Sequence, residues 1–115
     1  MMLVVDDDDL VREAVAAILA SLGHEVIHAR DGLEALTVYN AKYLEINLVI
    51  MDIVMPNMDG IAATRAIKDV HPSAKIILMS GYADQLCPAE ADAFLPKPFM
   101  CRTFCETVEQ VLKKA

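Results

Sequence analysis

Glycine, cysteine, positive charge and long apolar runs are all scarce in this chain, and each shortage removes a class of function. The four glycines, Gly23, Gly32, Gly60 and Gly81, are scattered. None follows the first apolar run, so that turn offers no glycine-rich cradle for a nucleotide or flavin phosphate. The three cysteines, Cys87, Cys101 and Cys105, are too few and too odd a set for a disulfide framework, and they fit a reducing cytoplasm. Cys101 and Cys105 stand one helical turn apart, a spacing open to a metal pair. They also share an apolar stripe with Phe104, Val108, Val111 and Leu112, and free thiols packed as small hydrophobes are the favoured reading. The net charge of −7 argues against direct contact with nucleic acid or an anionic membrane, though not against a DNA-binding partner domain. No apolar stretch nears the ~20 residues of a membrane span. The first apolar run meets acid after Val5, without the basic flank of a secretory leader. His24, His28 and His71 lack metal-ligand spacing, and no repeat, low-complexity tract or linker interrupts the chain.

What the chain does have is hydrophobic mass and a regular alternation. With 115 residues, 56% of them hydrophobic, it fits a single domain over 1–115, either complete or cut at a domain boundary of a longer protein. A chain of this size buries about 65% of its unfolded surface and needs no staple. Strands are expected at 2–6, around Val26-Ile27, within 47–53, at 75–80 and at Ala93-Phe94-Leu95. Helices are expected between them. Leu10, Val11, Ala14, Val15, Ile18, Leu19 and Leu22 recur at helical spacing before Gly23, and further helices follow at 33–43 and 61–70. The last helix spans 103–114 and starts a few residues earlier. Near-continuous apolar strands alternating with helices imply a doubly wound α/β fold with a five-stranded parallel sheet. In such sheets ligands bind beyond the carboxyl ends of the strands, where strand order reverses.

That edge collects the chemistry. Asp6 to Asp9 follow Met2-Leu3-Val4-Val5 directly. Two carboxylates about 4 Å apart repel by roughly 4 kcal/mol at an effective dielectric of 20. A fold accepts such crowding where a hard dication with oxygen ligands, Mg²⁺ above all, neutralises it. Asp8 and Asp9 have a simpler role, starting the next helix. Asp52 ends strand three, Ser80 ends strand four and Lys97 follows strand five. Taken singly, each has an ordinary explanation: Asp52 a strand exit, Ser80-Gly81 a turn, Lys97 a solvated lysine, Phe94 a core ring. Together, the carboxylates, the hydroxyl and the ammonium are what phosphoryl transfer to a carboxylate needs.

The sequence resembles the receiver domains of two-component response regulators. The resemblance rests on Val4-Val5-Asp6-Asp7-Asp8, Met51-Asp52-Ile53-Val54-Met55-Pro56, Met58-Asp59-Gly60, Met79-Ser80-Gly81-Tyr82 and Leu95-Pro96-Lys97-Pro98-Phe99, in register along essentially the whole chain. It implies a flavodoxin-like strand order 2-1-3-4-5. It implies Asp52 as phosphoryl acceptor, Asp7 as a direct Mg²⁺ ligand, Asp6 as a ligand mainly through water, and the Val54 carbonyl as a further ligand. Lys97 would bind the phosphoryl group, with a cis bond to Pro98. Ser80 would be the switch hydroxyl and Phe94 the aromatic ring that follows it. The implied partner is a sensor histidine kinase or phosphotransfer protein, with an output domain or downstream protein beyond, in the cytoplasm. The implied role is a signalling module with self-catalysed phosphoryl transfer, not a turnover enzyme. The chain departs from the pattern between Ser80 and Ala93, where Gly81 to Asp92, including Pro88, is near the minimum for a crossover. A stunted or missing fourth helix is expected, with Ala89-Glu90-Ala91 as one turn.

Two other classes share the architecture. A Mg²⁺-dependent phosphohydrolase commonly places a second Asp two residues after its nucleophile, where this chain has Val54. A nucleotide- or flavin-binding domain would set phosphate against the aspartates after strand one, which repel it.

Overall fold

Apolar runs of four or five residues, too short for helices, form the sheet, and the amphipathic segments between them cover it. The structure, a computed structural model, describes residues 1–81 and 88–114. Strands β1 (Met2–Val5), β3 (Leu48–Asp52) and β4 (Ile76–Ser80) are buried along their whole length. Flanking strands β2 (Val26–Ala29) and β5 (Ala93–Pro96) are partly buried. All pairings are parallel, in the order β2-β1-β3-β4-β5. The expected doubly wound, flavodoxin-like sheet is therefore found.

Alternation along the strands divides the core in two. Leu3, Val5, Val49 and Met51 pack with Ala35 and Tyr39 of α2 (Gly32–Lys42) and Ala63 and Ile67 of α3 (Gly60–Val70). Met2, Val4, Leu48 and Ile50 face the other way, against Val15 and Leu19 of α1 (Asp9–Ser21) and Phe104, Val108 and Val111 of α4 (Cys101–Leu112). Each fully buried aliphatic or aromatic side chain of this kind contributes roughly 1.5–3 kcal/mol of transfer free energy.

Aspartates start three of the helices. Asp8 accepts from the Leu10 and Val11 amides, Asp31 from Glu34 and Asp59 from Ala62. Asp8 and Asp9 thus have the helix-starting role expected of them. Gly23, at φ +91°, lets the chain turn out of α1, its amide donating to the Ala20 carbonyl. No helix among the described residues is long and apolar enough to cross a membrane.

Three details differ from the sequence reading. β1 stops at Val5, so Asp6 lies just beyond the strand. The inward face of α1 is Arg12, Val15, Ala16 and Leu19, while Leu10, Ala14 and Leu22 are exposed. Apolar residues at helical spacing occupy two faces of α1, and only one meets the sheet. Cys101 is exposed at the start of α4, and only Cys105 of that pair packs against the core. Its place in the first turn lifts Cys101 off the stripe.

The connection between β4 and β5 is short, as expected. Residues 88–92 hold one turn, closed by the Ala91 amide on the Pro88 carbonyl at 3.1 Å, and no helix. Residues 82–87, including Tyr82, Ala83 and Cys87, lie outside the described residues, and so does Ala115.

Candidate functional site

Where β1, β3, β4 and β5 end, the backbone changes from buried ladder to loop, and polar side chains there reach solvent without leaving the rigid sheet. Asp6 and Asp7 follow β1, Asp52 and Ser80 are the last residues of β3 and β4, and Lys97 follows β5. One carboxylate oxygen from each of Asp6, Asp7 and Asp52 lies within 4.8 Å of the others. Lys97 Nζ stands 3.0 Å from Asp6 Oδ2 and 3.3 Å from Asp52 Oδ1, bridging two of the three acids. A cleft of about 520 Å³ opens here, lined by Asp7, Asp52, Val54, Gly81 and Lys97.

Burial differs among the acids, and so does their freedom. Asp6 is 1% exposed. Its Oδ1 accepts from the Asp8 amide at 2.9 Å, and its Oδ2 accepts from Lys97. Asp7 is exposed and lines the cleft. Asp52 is nearly buried, and that burial pushes its carboxyl above the usual aspartate range; the Lys97 charge opposes the rise and the Asp6 charge adds to it. Burial alone would lower the Lys97 ammonium. The hydrogen bond to Asp6 and the charges of Asp52 and Asp6 outweigh it, so Lys97 is held above the usual lysine value.

The donor set fits a hard dication. Three carboxylates against one ammonium leave an excess of two negative charges in the cluster. All the carboxylate donors are oxygens, and Asp7 faces open space in the cleft. Among the described residues this is the one group of three or more such side chains close enough to share an ion.

The backbone around the cluster is held tightly. The Ile53 amide donates to the Met79 carbonyl and the Lys97 amide to the Ser80 carbonyl, at 3.0 and 2.7 Å. Behind Asp52 the entry to α3 passes so close that a Cβ on Gly60 would lie 2.2 Å from the Asp52 carbonyl oxygen. Only glycine fits there, which gives Asp59-Gly60 a structural role. The Lys97–Pro98 peptide bond is cis. Ser80 is 2% exposed, and Phe94 is half-buried on β5, packed toward the α2–α3 side.

Arg12 escaped the sequence reading. It is 7% exposed on the inner face of α1, and its Nη1 donates to the Asp6 carbonyl at 3.0 Å. The signal was present: Arg12 stands three and four residues before Val15 and Ala16 and seven before Leu19, on the core-facing stripe. Away from the cluster, Cys101 and Cys105 gather no third metal-ligating partner among the described residues. The Cys105 thiol is pushed up by burial and by Cys101 beside it. His71 lies against Tyr39 and Tyr43, with ring centroids 5.2 and 4.6 Å away.

Known proteins resemble this chain in sequence and fold. Residues 2–109 match the response regulator receiver domain family. The chain is 39% identical to the sensor kinase CckA of Brucella abortus over 97% of its own length but only 12% of that kinase. It is 37% identical to the chemotaxis protein CheY of Thermotoga maritima, covering 96% of both chains. Among solved structures, the CheX–CheY–BeF3–Mg²⁺ complex from Borrelia burgdorferi aligns with a TM-score of 0.92 at 30% identity, covering 98% of this chain and 89% of that one. Sequence, sheet order and the clustered strand ends converge, and the chain belongs to the response regulator receiver domain family of two-component signalling.

Proposed function

We propose that the chain is a single receiver unit that accepts a phosphoryl group on Asp52 from a partner histidine kinase or phosphotransfer protein, in a Mg²⁺-dependent reaction. The observation that carries this reading is the convergence of the Asp6, Asp7 and Asp52 oxygens within 4.8 Å, with Lys97 bonded to two of the acids. Asp7, exposed in the cleft, is assigned as the direct metal ligand, with Asp52 and the Val54 carbonyl. Asp6, whose oxygens are both engaged by protein donors, is assigned to water-mediated contact. Bound Mg²⁺ would neutralise the excess charge of the acids and stabilise charge on the transferring phosphoryl group.

In the transfer an Asp52 oxygen forms the new O–P bond as the P–N bond of the donor phosphohistidine breaks. The imidazole leaves and takes a proton from solvent. Lys97, already charged and held at the cluster, meets the phosphoryl oxygens. The Ser80 hydroxyl then engages the phosphate, Phe94 follows inward, and the outer surface changes for a downstream partner. An apolar groove of about 600 Å³, lined by Val11, Ala14, Ile18, Pro98 and Phe99, adjoins the cleft through Gly81 and Lys97 and gives the donor protein a surface to cover. Mg²⁺ in complex with the CheY relative from Borrelia supports the choice of ion. Free thiols at Cys101 and Cys105 suit a cytoplasmic setting.

Incubation with Mg²⁺ and a small acyl phosphate tests the reading. One alkali-labile phosphoryl group per chain is expected, falling to background in Asp52→Asn. Labelling of that variant at the wild-type level refutes the assignment.

A further inference from the structure

β1 ends at Val5, and the ladder with β2 closes on the Asp6 amide, which donates to the Ala29 carbonyl at 3.2 Å. The Asp6 carbonyl, one atom group further on, is bound by a side chain: Arg12 Nη1, at 3.0 Å and buried. The same guanidinium is fixed on two other sides. Its Nη2 lies 2.8 Å from Asp9 Oδ1, and its Nε donates to Nδ1 of His28 on β2 at 3.3 Å. Three anchors, on β2, on the turn and on α1, pin one planar fork.

We propose that Arg12 is a positioning residue for the metal site: its buried guanidinium fixes the Asp6 carbonyl, and so sets the direction in which the Asp6 and Asp7 carboxylates leave the sheet. The proposal rests on the phosphoacceptor reading above. Asp6 and Asp7 flank the planar peptide unit that contains the Asp6 carbonyl, so a displacement of that unit carries both Cα atoms, and with them both carboxylates, relative to Asp52. Partners that orient metal ligands typically change metal affinity by about 10–100-fold when removed.

Charge and geometry act in opposite directions here, which makes the proposal testable. A cation beside the cluster repels Mg²⁺, so if Arg12 acted only through its charge, removing it would tighten metal binding. If it acts by position, removing it weakens binding in spite of the Coulomb gain. Arg12→Lys keeps the charge and loses the fork; Arg12→Met loses both; His28→Ala removes one anchor, at an exposed position.

The experiment is calorimetric titration of each metal-free protein with Mg²⁺ alone, with folding checked by circular dichroism. Arg12→Lys and Arg12→Met are each expected to weaken Mg²⁺ binding by about tenfold. His28→Ala is expected to weaken it less. Labelling by acyl phosphate should need more Mg²⁺ for half-maximal rate in Arg12→Lys, with the rate at saturating Mg²⁺ near that of wild type. Affinity within about twofold of wild type in folded Arg12→Lys, or tighter binding in Arg12→Met, overturns the positioning role. Should both Arg12 variants fail to fold, unchanged affinity in His28→Ala overturns it, and weakened affinity there upholds it. Failure of the wild-type chain to bind Mg²⁺ removes the phosphoacceptor reading as well, so the two failures are distinguishable.

Discussion

Asp52 is a carboxylate at the end of a fully buried strand, and its environment disfavours its charge. Its pKa is raised chiefly by burial, against the opposing pull of Lys97. A carboxyl raised in the folded state binds its proton more tightly there than in the unfolded chain. Its contribution to stability is therefore complete below the ordinary aspartate value of 3.8 and is lost as pH rises through the folded value. Asp52→Asn removes that loss, while Lys97 keeps Asp6 as a partner. In metal-free buffer at neutral pH the variant is expected to melt above wild type, with the advantage vanishing in acid. Thermal unfolding against pH, with chelator present, measures it; a variant less stable than wild type at neutral pH contradicts the burial argument. Residues such as Asp52, Ser80 and Lys97 were legible in the sequence because strand ends advertise themselves: an apolar run stops and a polar group follows. Arg12 went unread although its spacing places it on the core-facing stripe, because a charged side chain is rarely buried unless paired. Its burial depends on a carbonyl supplied by another element.

Among the elements, the helix starts were the most legible, since an aspartate before a periodic segment has one dominant local use. Asp31 shows how much such a residue can carry. Its Oδ1 accepts from the Glu34 amide at 2.8 Å, and its Oδ2 accepts from Asn57 Nδ2 at 2.7 Å, tying the start of α2 to the loop after β3. Asn57 sits at φ +66°, a left-handed conformation that asparagine tolerates. These bonds hold the Asp31 carboxyl below its ordinary value, the Glu34 amide foremost. The stabilisation is therefore present above that ordinary value and lost as pH falls through the folded one. Asp31→Ala is expected to lower the unfolding free energy by about 1–2 kcal/mol near neutral pH. Urea unfolding at neutral and acid pH checks this: a loss that does not shrink in acid contradicts it. The fourth crossover was legible as a length and as one turn after Pro88. What ties its described part to the fold was not: Arg65 pairs with Glu90 at 2.6 Å and Lys68 with Asp92 at 2.9 Å, so α3 holds the connection. Ion pairs between elements distant in sequence leave no periodic trace. The Cys101–Cys105 spacing misled for a related reason, since stripe membership does not say where a helix's first turn lifts off the core.

At the scale of the molecule, strand order decides which strand ends meet. Placing β1 between β2 and β3 sets the Asp6-Asp7 turn beside the end of β3, and β5 beyond β4 still brings Lys97 back over the cluster. Repulsion among the three acids works against this fold, and a single ammonium leaves it only partly relieved. A dication bound there would complete the neutralisation, and on the proposed reading the same ion would equip Asp52 to receive a phosphoryl group. The most direct measurement is calorimetric titration of metal-free wild-type protein and of Asp7→Asn with Mg²⁺. Asp7 is exposed, so the substitution leaves the core intact. One Mg²⁺ per wild-type chain is expected, with affinity reduced about tenfold or more in Asp7→Asn. Equal affinity in the two proteins, or no binding by wild type, contradicts the assignment of this acidic edge as a metal-dependent phosphoryl acceptor.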